Sequence, residues 1–390
     1  MAEKFLSSAA GKRGLMLFAG LILSAAIALS GKPAFSGSGE AAAETRATPK
    51  VEARAEKEAM FYSKLKDNFV RCLLCPNKCT LPEGSSGICR VRKNIKGKLY
   101  AMSYGKPCSV SLEPIEKAPL YHFKPGHKRL ALATVGCNLS CIFCQNWYIS
   151  QKGPGEVTEY DAPPEQIVEE ALRQGAESIC FTFSEPSVFY EYVYDISRLA
   201  KEKGLMTSIV SNGFINPEPL RQLLPYLDAV KIDLKAFSEK FYRKVTGGEL
   251  EAVLNTLKLL KEENAHFEIV NLIIPTLNDS PEEIAEMCAW IKENLGDDVP
   301  LHFSRFSPTY KLTTLPPTPV RTLEDAIKIA DDAGLKYVYI GNVPGHKRNS
   351  TNCPRCGKTL ISRRGFSVTS NNLKDGKCKF CGLSIPGIWE

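Results

Sequence analysis

Eleven of the fourteen cysteines in this 390-residue chain fall into three tight groups, and that grouping constrains the fold more than any other feature. The first group is Cys72, Cys75, Cys79 and Cys89, spaced C-x2-C-x3-C-x9-C. The second is Cys137, Cys141 and Cys144, spaced C-x3-C-x2-C. The third is Cys353, Cys356, Cys378 and Cys381, spaced C-x2-C-x21-C-x2-C. Cys108, Cys180 and Cys288 stand apart. Thiols two or three residues apart can be aimed at one ion by a single tight turn. Disulfide-built folds are short and secreted, whereas a chain this long with 44% hydrophobic residues can bury a core without bridges. The cysteines therefore read as metal ligands in a reducing compartment.

Composition narrows the class further. With 24% charged residues, a wholly disordered or fibrous chain is excluded. A polytopic membrane protein is excluded because only one long apolar run exists. From His346 onward nine Lys or Arg face only Asp375 and Glu390, so the entire net charge of +7 belongs to the tail. A basic tail around four cysteines raises a nucleic-acid reading. It lacks the interleaved aromatics of a stacking platform, so a solvated module or a protein-docking surface is the better expectation.

The N-terminus bears on compartment. Residues 14–31 carry no charge and follow Lys12 and Arg13. Eighteen helical residues span about 27 Å, slightly short of a hydrocarbon core of about 30 Å. A secretory signal, an uncleaved anchor and a variant twin-arginine export address all fit that order. The positive-inside rule would place the following domain outside, against what metal chemistry needs. Localisation thus stands open between cytoplasmic, membrane-associated through 14–31, and exported. Residues 31–55, rich in Ala, Gly, Ser and Glu, read as a flexible tether.

Beyond the leader and linker (1–55), three sections follow: a Cys-rich module over 56–128, a core over 129–345 and a ribbon-like module over 346–390. The core alternates in period. Residues 130–135, 178–183, 207–210, 229–234, 267–274, 301–306 and 337–340 read as strands. Residues 165–174, 188–203, 218–227, 250–260, 284–291 and 323–332 carry apolar stripes at helical spacing, such as Ile167, Val168, Ala171 and Leu172. Repeated strand–helix units require parallel strands with right-handed crossovers. The fold class predicted is α/β, a partial (β/α)6 TIM-like barrel, with chemistry at the C-terminal strand ends.

The central group follows the first core strand directly. Three thiolates cannot saturate a four-iron cluster, so one iron stays open to another ligand. The competing reading is a zinc site with a distant fourth ligand, and no histidine lies close by in sequence. The runs GCNLSCIFCQNW, TFSEP at 182–186, YGKPCSVSLEPIEKAPLYHFKPG ending at Gly126, and CPRCG with CKFCGLSIPGIW near the C-terminus go further. Together they resemble the radical enzyme of the AmmeMemoRadiSam system, within the radical S-adenosylmethionine (SAM) superfamily and similar to pyruvate formate-lyase activating enzymes. The resemblance covers roughly 60–390.

That resemblance implies a [4Fe-4S] cluster on Cys137, Cys141 and Cys144, with SAM chelated at the open iron. It implies reductive cleavage of SAM to methionine and a 5′-deoxyadenosyl radical, which abstracts a hydrogen atom from a substrate the sequence does not name. Glu185 is placed to meet the SAM ammonium, the plainer reading being an acid at a helix N-terminus. Ser211 and Asn212 suit ribose or carboxylate contacts, the plainer reading being a turn. Asp233 and Lys235 match the activating-enzyme pattern at the fourth strand end, where the Asp helps a cation and the Lys faces substrate. Val210 departs from that pattern. His302 and Arg305 are expected in core packing or ion pairs before any adenine contact.

The first cysteine group reads as a second metal site, zinc or an auxiliary iron–sulfur cluster. The last reads as a zinc ribbon, with Gly357 and Gly382 permitting the knuckle turns. A flavodoxin- or ferredoxin-like electron donor and two companion proteins of the system are the implied partners. Activation of a glycyl-radical enzyme is the alternative within the enzyme class. A nucleic-acid- or protein-binding zinc module on a degenerate barrel is the alternative of another class.

Overall fold

The seven apolar strand segments of the core become seven parallel strands, because each intervening helix returns the chain to start the next strand in the same direction. The computed structural model describes residues 57–389. An edge strand β1 (Ser109–Pro114) pairs antiparallel with β2 (Lys128–Ala133). The parallel series runs through β3 (Ser178–Phe181), β4 (Met206–Ser211), β5 (Ala229–Asp233), β6 (Phe267–Ile273), β7 (Leu301–Arg305) and β8 (Val338–Gly341). Strand order is sequential from one edge to the other, with no reversal. A doubly wound sheet reverses order at a switch point, and this one does not. β1 and β8 are not paired with each other, so the barrel is open.

Six helices cross between the parallel strands: α1 (Pro164–Arg173), α2 (Tyr190–Glu202), α3 (Pro217–Leu223), α4 (Leu250–Glu262), α5 (Pro281–Leu295) and α6 (Val320–Asp332). Their starts are written locally. α1, α3 and α5 carry Pro at the first position, whose fixed φ suits a helix start. Ser280 caps α5 by accepting from the Glu283 N–H at 3.1 Å. Buried faces follow the predicted stripes, with one exception: α1 buries Ile167, Val168 and Ala171 but leaves Leu172 46% exposed.

Two elements escaped sequence reasoning. β1 lies in the stretch read as part of the Cys-rich module, yet it extends the core sheet. Residues 115–127 serve as a dock for the C-terminal module. The Ile388 N–H donates to His122 O at 2.8 Å and the Lys124 N–H to Ile388 O at 2.7 Å, so the YHFKPG and IPGIW runs meet by backbone pairing. Arg363, on the strand Thr359–Arg364, donates to Tyr121 O at 2.7 Å, lies 4.0 Å from the Tyr121 ring and reaches Glu116 at 3.5 Å.

The first cysteine group is tied to the barrel through a buried ion pair. Arg92, on the strand Arg92–Ile95, donates from Nη1 to both carboxylate oxygens of Glu191 on α2, each at 3.0 Å, and their side chains are 2% and 0% exposed. Removing one member strands the other charge in the interior. Glu191→Ala is expected to cost about 3–5 kcal/mol in denaturant unfolding. A loss below about 1 kcal/mol would show that the pair does not anchor the module.

The apolar stretch 14–31 lies outside the described residues. Among the described residues, no helix is long and apolar enough to cross a membrane.

Candidate functional site

The site starts where β2 runs out. Thr134 and Val135 lead to Gly136 at φ 98°, a left-handed value that favours glycine. A Cβ there would come within 2.7 Å of Cys89 O, so the turn also needs the space. The Cys137–Cys144 loop is clamped on its far side by the turn that follows β5. A Cβ on Gly248 would lie 2.6 Å from Leu139 Cδ2, and the Ser140 N–H donates to Thr246 O at 2.8 Å.

Glu185, Ser211, Asn212, Asp233 and Lys235 each sit at or just past a C-terminal strand end, as barrel geometry requires. Glu185 follows β3, is 2% exposed, and accepts from three donors. Its Oε1 accepts from Ser211 Oγ at 2.8 Å and from the Ser187 N–H at 3.0 Å, and its Oε2 accepts from the Asn212 N–H at 2.8 Å. Glu185 therefore caps the short 3-10 turn Pro186–Phe189 and also holds the β4 terminus. Burial raises its pKa above the usual carboxylate value, and the three donors offset only part of that.

Asn212 links this carboxylate to the cysteines. Its Nδ2 donates to Asn138 Oδ1 at 2.9 Å and lies 3.7 Å from Cys137 Sγ. Asn138, 1% exposed, donates to Phe214 O at 2.6 Å and fastens the loop. Sequence reading assigned Asn138 no role, although it stands inside the quoted motif. Cys137 Sγ also accepts from the Leu139 N–H at 3.4 Å, and Ser150 Oγ lies 3.1 Å from Cys144 Sγ. Burial pushes the Cys141 thiol up to about 12 and the Cys137 thiol well above its usual value. Such thiols are poor nucleophiles without a metal.

The strand end that carries TFSEP is strained. Phe183 has φ 65°, costly for a bulky residue, and its carbonyl is held by Asn146 Nδ2 at 2.9 Å. The adjacent Ser184 hydroxyl is buried and has no partner among the described residues. Opposite, Asp233 ends β5 between two ammonium groups. Lys235 Nζ lies 3.2 Å from its Oδ2, and Lys231 Nζ contacts its Oδ1. Burial disfavours the Asp233 charge, but the two lysines outweigh it and hold its pKa below the usual value. Lys231 escaped sequence reasoning. Its buried ammonium is one of the two positive partners of Asp233. The Lys235 charge is felt at Cys141, which joins this pair to the cysteine loop.

His302 lies in the lower half of β7, 1% exposed, with Nε2 at 2.6 Å from Glu268 Oε2. It is a core residue, and Arg305 Nε donates to Thr318 O at 2.7 Å. Cys288 is buried on α5, and Cys180 accepts from Arg129 Nη1 at 2.7 Å. Cys108 Sγ lies 3.6 Å from Ala133 O, and Cys108 does not line the cavity formed by the first cysteine group.

The third group closes on itself. Cys353 Sγ lies 3.6 Å from Cys381 Sγ, and Cys356 Sγ 3.8 Å from Cys378 Sγ. All four sulfurs fall within 4.8 Å of one another. Four thiolates on one tetrahedral ion at about 2.3 Å are separated by about 3.8 Å, so this spacing fits a single metal. Gly357 and Gly382, at φ 70° and 71°, each donate back to the first Cys of their knuckle. Among the described residues no other set of three ligands is so compact. The central trio is therefore spread more widely than one zinc would hold it.

Residues 132–291 match the model of the Radical SAM superfamily. The uncharacterized protein MJ0808 of Methanocaldococcus jannaschii is 48% identical over 84% of this chain and 98% of its own length. The pyruvate formate-lyase-activating enzyme of Clostridium pasteurianum is 28% identical over 40% of this chain and 66% of its own. Among solved structures, Streptococcus suis SuiB bound to S-adenosylmethionine aligns with a TM-score of 0.45, at 16% identity, over 58% of this chain and 53% of that one. With the strand-end site described and residues 132–291 matching that family model, the chain belongs to the radical SAM superfamily.

Proposed function

We propose that this enzyme cleaves SAM reductively and abstracts a hydrogen atom from its substrate, and that it is of the AmmeMemoRadiSam type. The superfamily's cofactors are a [4Fe-4S] cluster and SAM. The observation that carries the reading is the single hydrogen-bonded group joining Cys137, Asn212, Ser211 and Glu185. The residues fit the cofactor pair. The thiols are too dispersed for one zinc, N–H and O–H groups stand at two of the sulfurs, and a buried unpartnered hydroxyl waits at Ser184. When bound, the pair supplies one-electron cleavage of the sulfonium to a 5′-deoxyadenosyl radical.

The chain's own residues do the positioning. Cys137, Cys141 and Cys144 would hold the cluster, and Asn212 would donate to the Cys137 sulfur, which tunes potential and orientation. Glu185 presents a buried carboxylate, already aligned by three donors, to the SAM ammonium. Lys235, paired with Asp233, offers a cation toward the substrate side. A flavodoxin- or ferredoxin-like protein would deliver the electron, and the system's two companion proteins are the natural further partners. In the C-terminal module, Cys353, Cys356, Cys378 and Cys381 would hold zinc.

Activation of a glycyl-radical enzyme is the second reading. It is favoured by a further relative from M. jannaschii, 28% identical over 40% of this chain and named a putative glycyl-radical enzyme activating enzyme. Anaerobic reconstitution with iron and sulfide, followed by reduction and chromatography of methionine and 5′-deoxyadenosine, tests the main reading. A protein that holds only zinc and leaves SAM intact would instead be a binding module on a degenerate barrel.

Glu185→Gln keeps size and loses charge. It is expected to weaken SAM binding to the reconstituted protein by about 10–100-fold, the worth of a hydrogen bond to a charged group. Glu185→Ala also strands three donors, at about 1–3 kcal/mol each, and should lower stability measurably. Unchanged affinity in the Gln variant would leave Glu185 as a turn cap only.

A further inference from the structure

The four thiols of the first group do not form a zinc knot. Cys72, Cys75, Cys79 and Cys89 line one small cavity together with Arg92, Asn77 and Asn138. Yet no three of their sulfurs lie within 4.8 Å of one another, unlike the C-terminal four. A tetrahedral zinc draws four sulfurs to about 3.8 Å apart. A cubic cluster puts each thiolate on its own iron and spreads them to roughly 6 Å. The sulfurs still converge: a Cβ on Gly87 would lie 3.6 Å from both Cys79 Sγ and Cys89 Sγ.

Arg92, which lines the cavity, keeps one N–H unpaired among the described residues. Arg92 is 1% exposed and paired through its terminal nitrogens, while its Nε has no partner among the described residues. A buried cation with a spare N–H beside four thiols suits an anionic, sulfur-rich group, since hydrogen bonds to cluster sulfur stabilise it.

We infer that Cys72, Cys75, Cys79 and Cys89 hold a second [4Fe-4S] cluster, beside the loop of the central cysteines. Four thiolates saturate its four irons, so it has no vacant corner for SAM. Its placement is fixed by two contacts. Asn77 Nδ2 donates to Asn138 O at 2.9 Å, and Gly136 packs on Cys89 O. The cavity therefore shares Asn138 with the central loop.

The test uses the full chain with Cys137, Cys141 and Cys144 all replaced by Ala. After anaerobic reconstitution it is expected to retain about four iron and four sulfide, with visible absorption that bleaches on reduction and a paramagnetic signal of the reduced cluster. Adding Cys75→Ser and Cys79→Ser should remove that iron while about one zinc per chain persists in the C-terminal module, which reports that the fold is intact. An unsubstituted protein with about eight iron, falling to about four in the triple variant, supports both sites. About four falling to none overturns the second cluster and leaves the proposed function standing. About four in both proteins overturns the central assignment instead. A second zinc per chain in the triple variant, without iron, also overturns the inference.

Discussion

A Cys141→Ala protein, reconstituted anaerobically, is expected to form 5′-deoxyadenosine no faster than buffer containing reductant and SAM, a fall of more than about 10³-fold. The magnitude follows from what is removed. Two thiolates cannot retain the cube, so the substitution takes away the cofactor rather than one contact. Cys141 is 7% exposed and feels the Lys235 charge. The control is Cys288→Ala, another buried cysteine, which packs in the core of α5 away from the strand ends. It should keep its iron and its turnover, at a modest stability cost from the small cavity. Equal loss in both variants would point to general unfolding and would remove the case for Cys141 as a ligand.

The second large effect lies at the other end of the chain. Cys378→Ala is expected to abolish zinc binding in the C-terminal module and unfold residues 353–381. Structural zinc contributes on the order of 10 kcal/mol to small ribbons, far more than this module's few buried side chains can replace. Its own core is Leu360, Ile361, Ile385 and little else, resting on Tyr337 and Tyr339 of the barrel. Limited proteolysis should cut inside the module, and metal analysis should show the zinc lost. The barrel should persist, because its core does not depend on the ribbon. A module that stays resistant to protease without metal would mean that its docking through Arg363 and Ile388 suffices.

Much of the barrel was legible because its signals are short-range. Val230 and Ile232 in β5, or Ile167 and Val168 in α1, announce their elements within a few residues. Alternation of such elements leaves few topologies. β1 was not legible. SVSLEP is a short edge segment whose partner is fixed by register with β2, not by its own pattern. The dock between residues 122–124 and 388 was equally hidden, since two runs more than 250 residues apart show no mutual signature until they pair.

The site divides the same way. The C-x3-C-x2-C spacing, the strand-end positions of Glu185, Ser211, Asn212, Asp233 and Lys235, and the two knuckles around Gly357 and Gly382 were determined by sequence alone, because each is a property of one turn. Only the tertiary structure decided that Glu185 is gripped by β4, that Asn138 and Lys231 take part, and that one four-cysteine set is compact while another is wide. Those outcomes depend on how separate loops pack against each other. Ligand spacing along a chain says that sulfurs can converge, and only packing sets how far apart they stop.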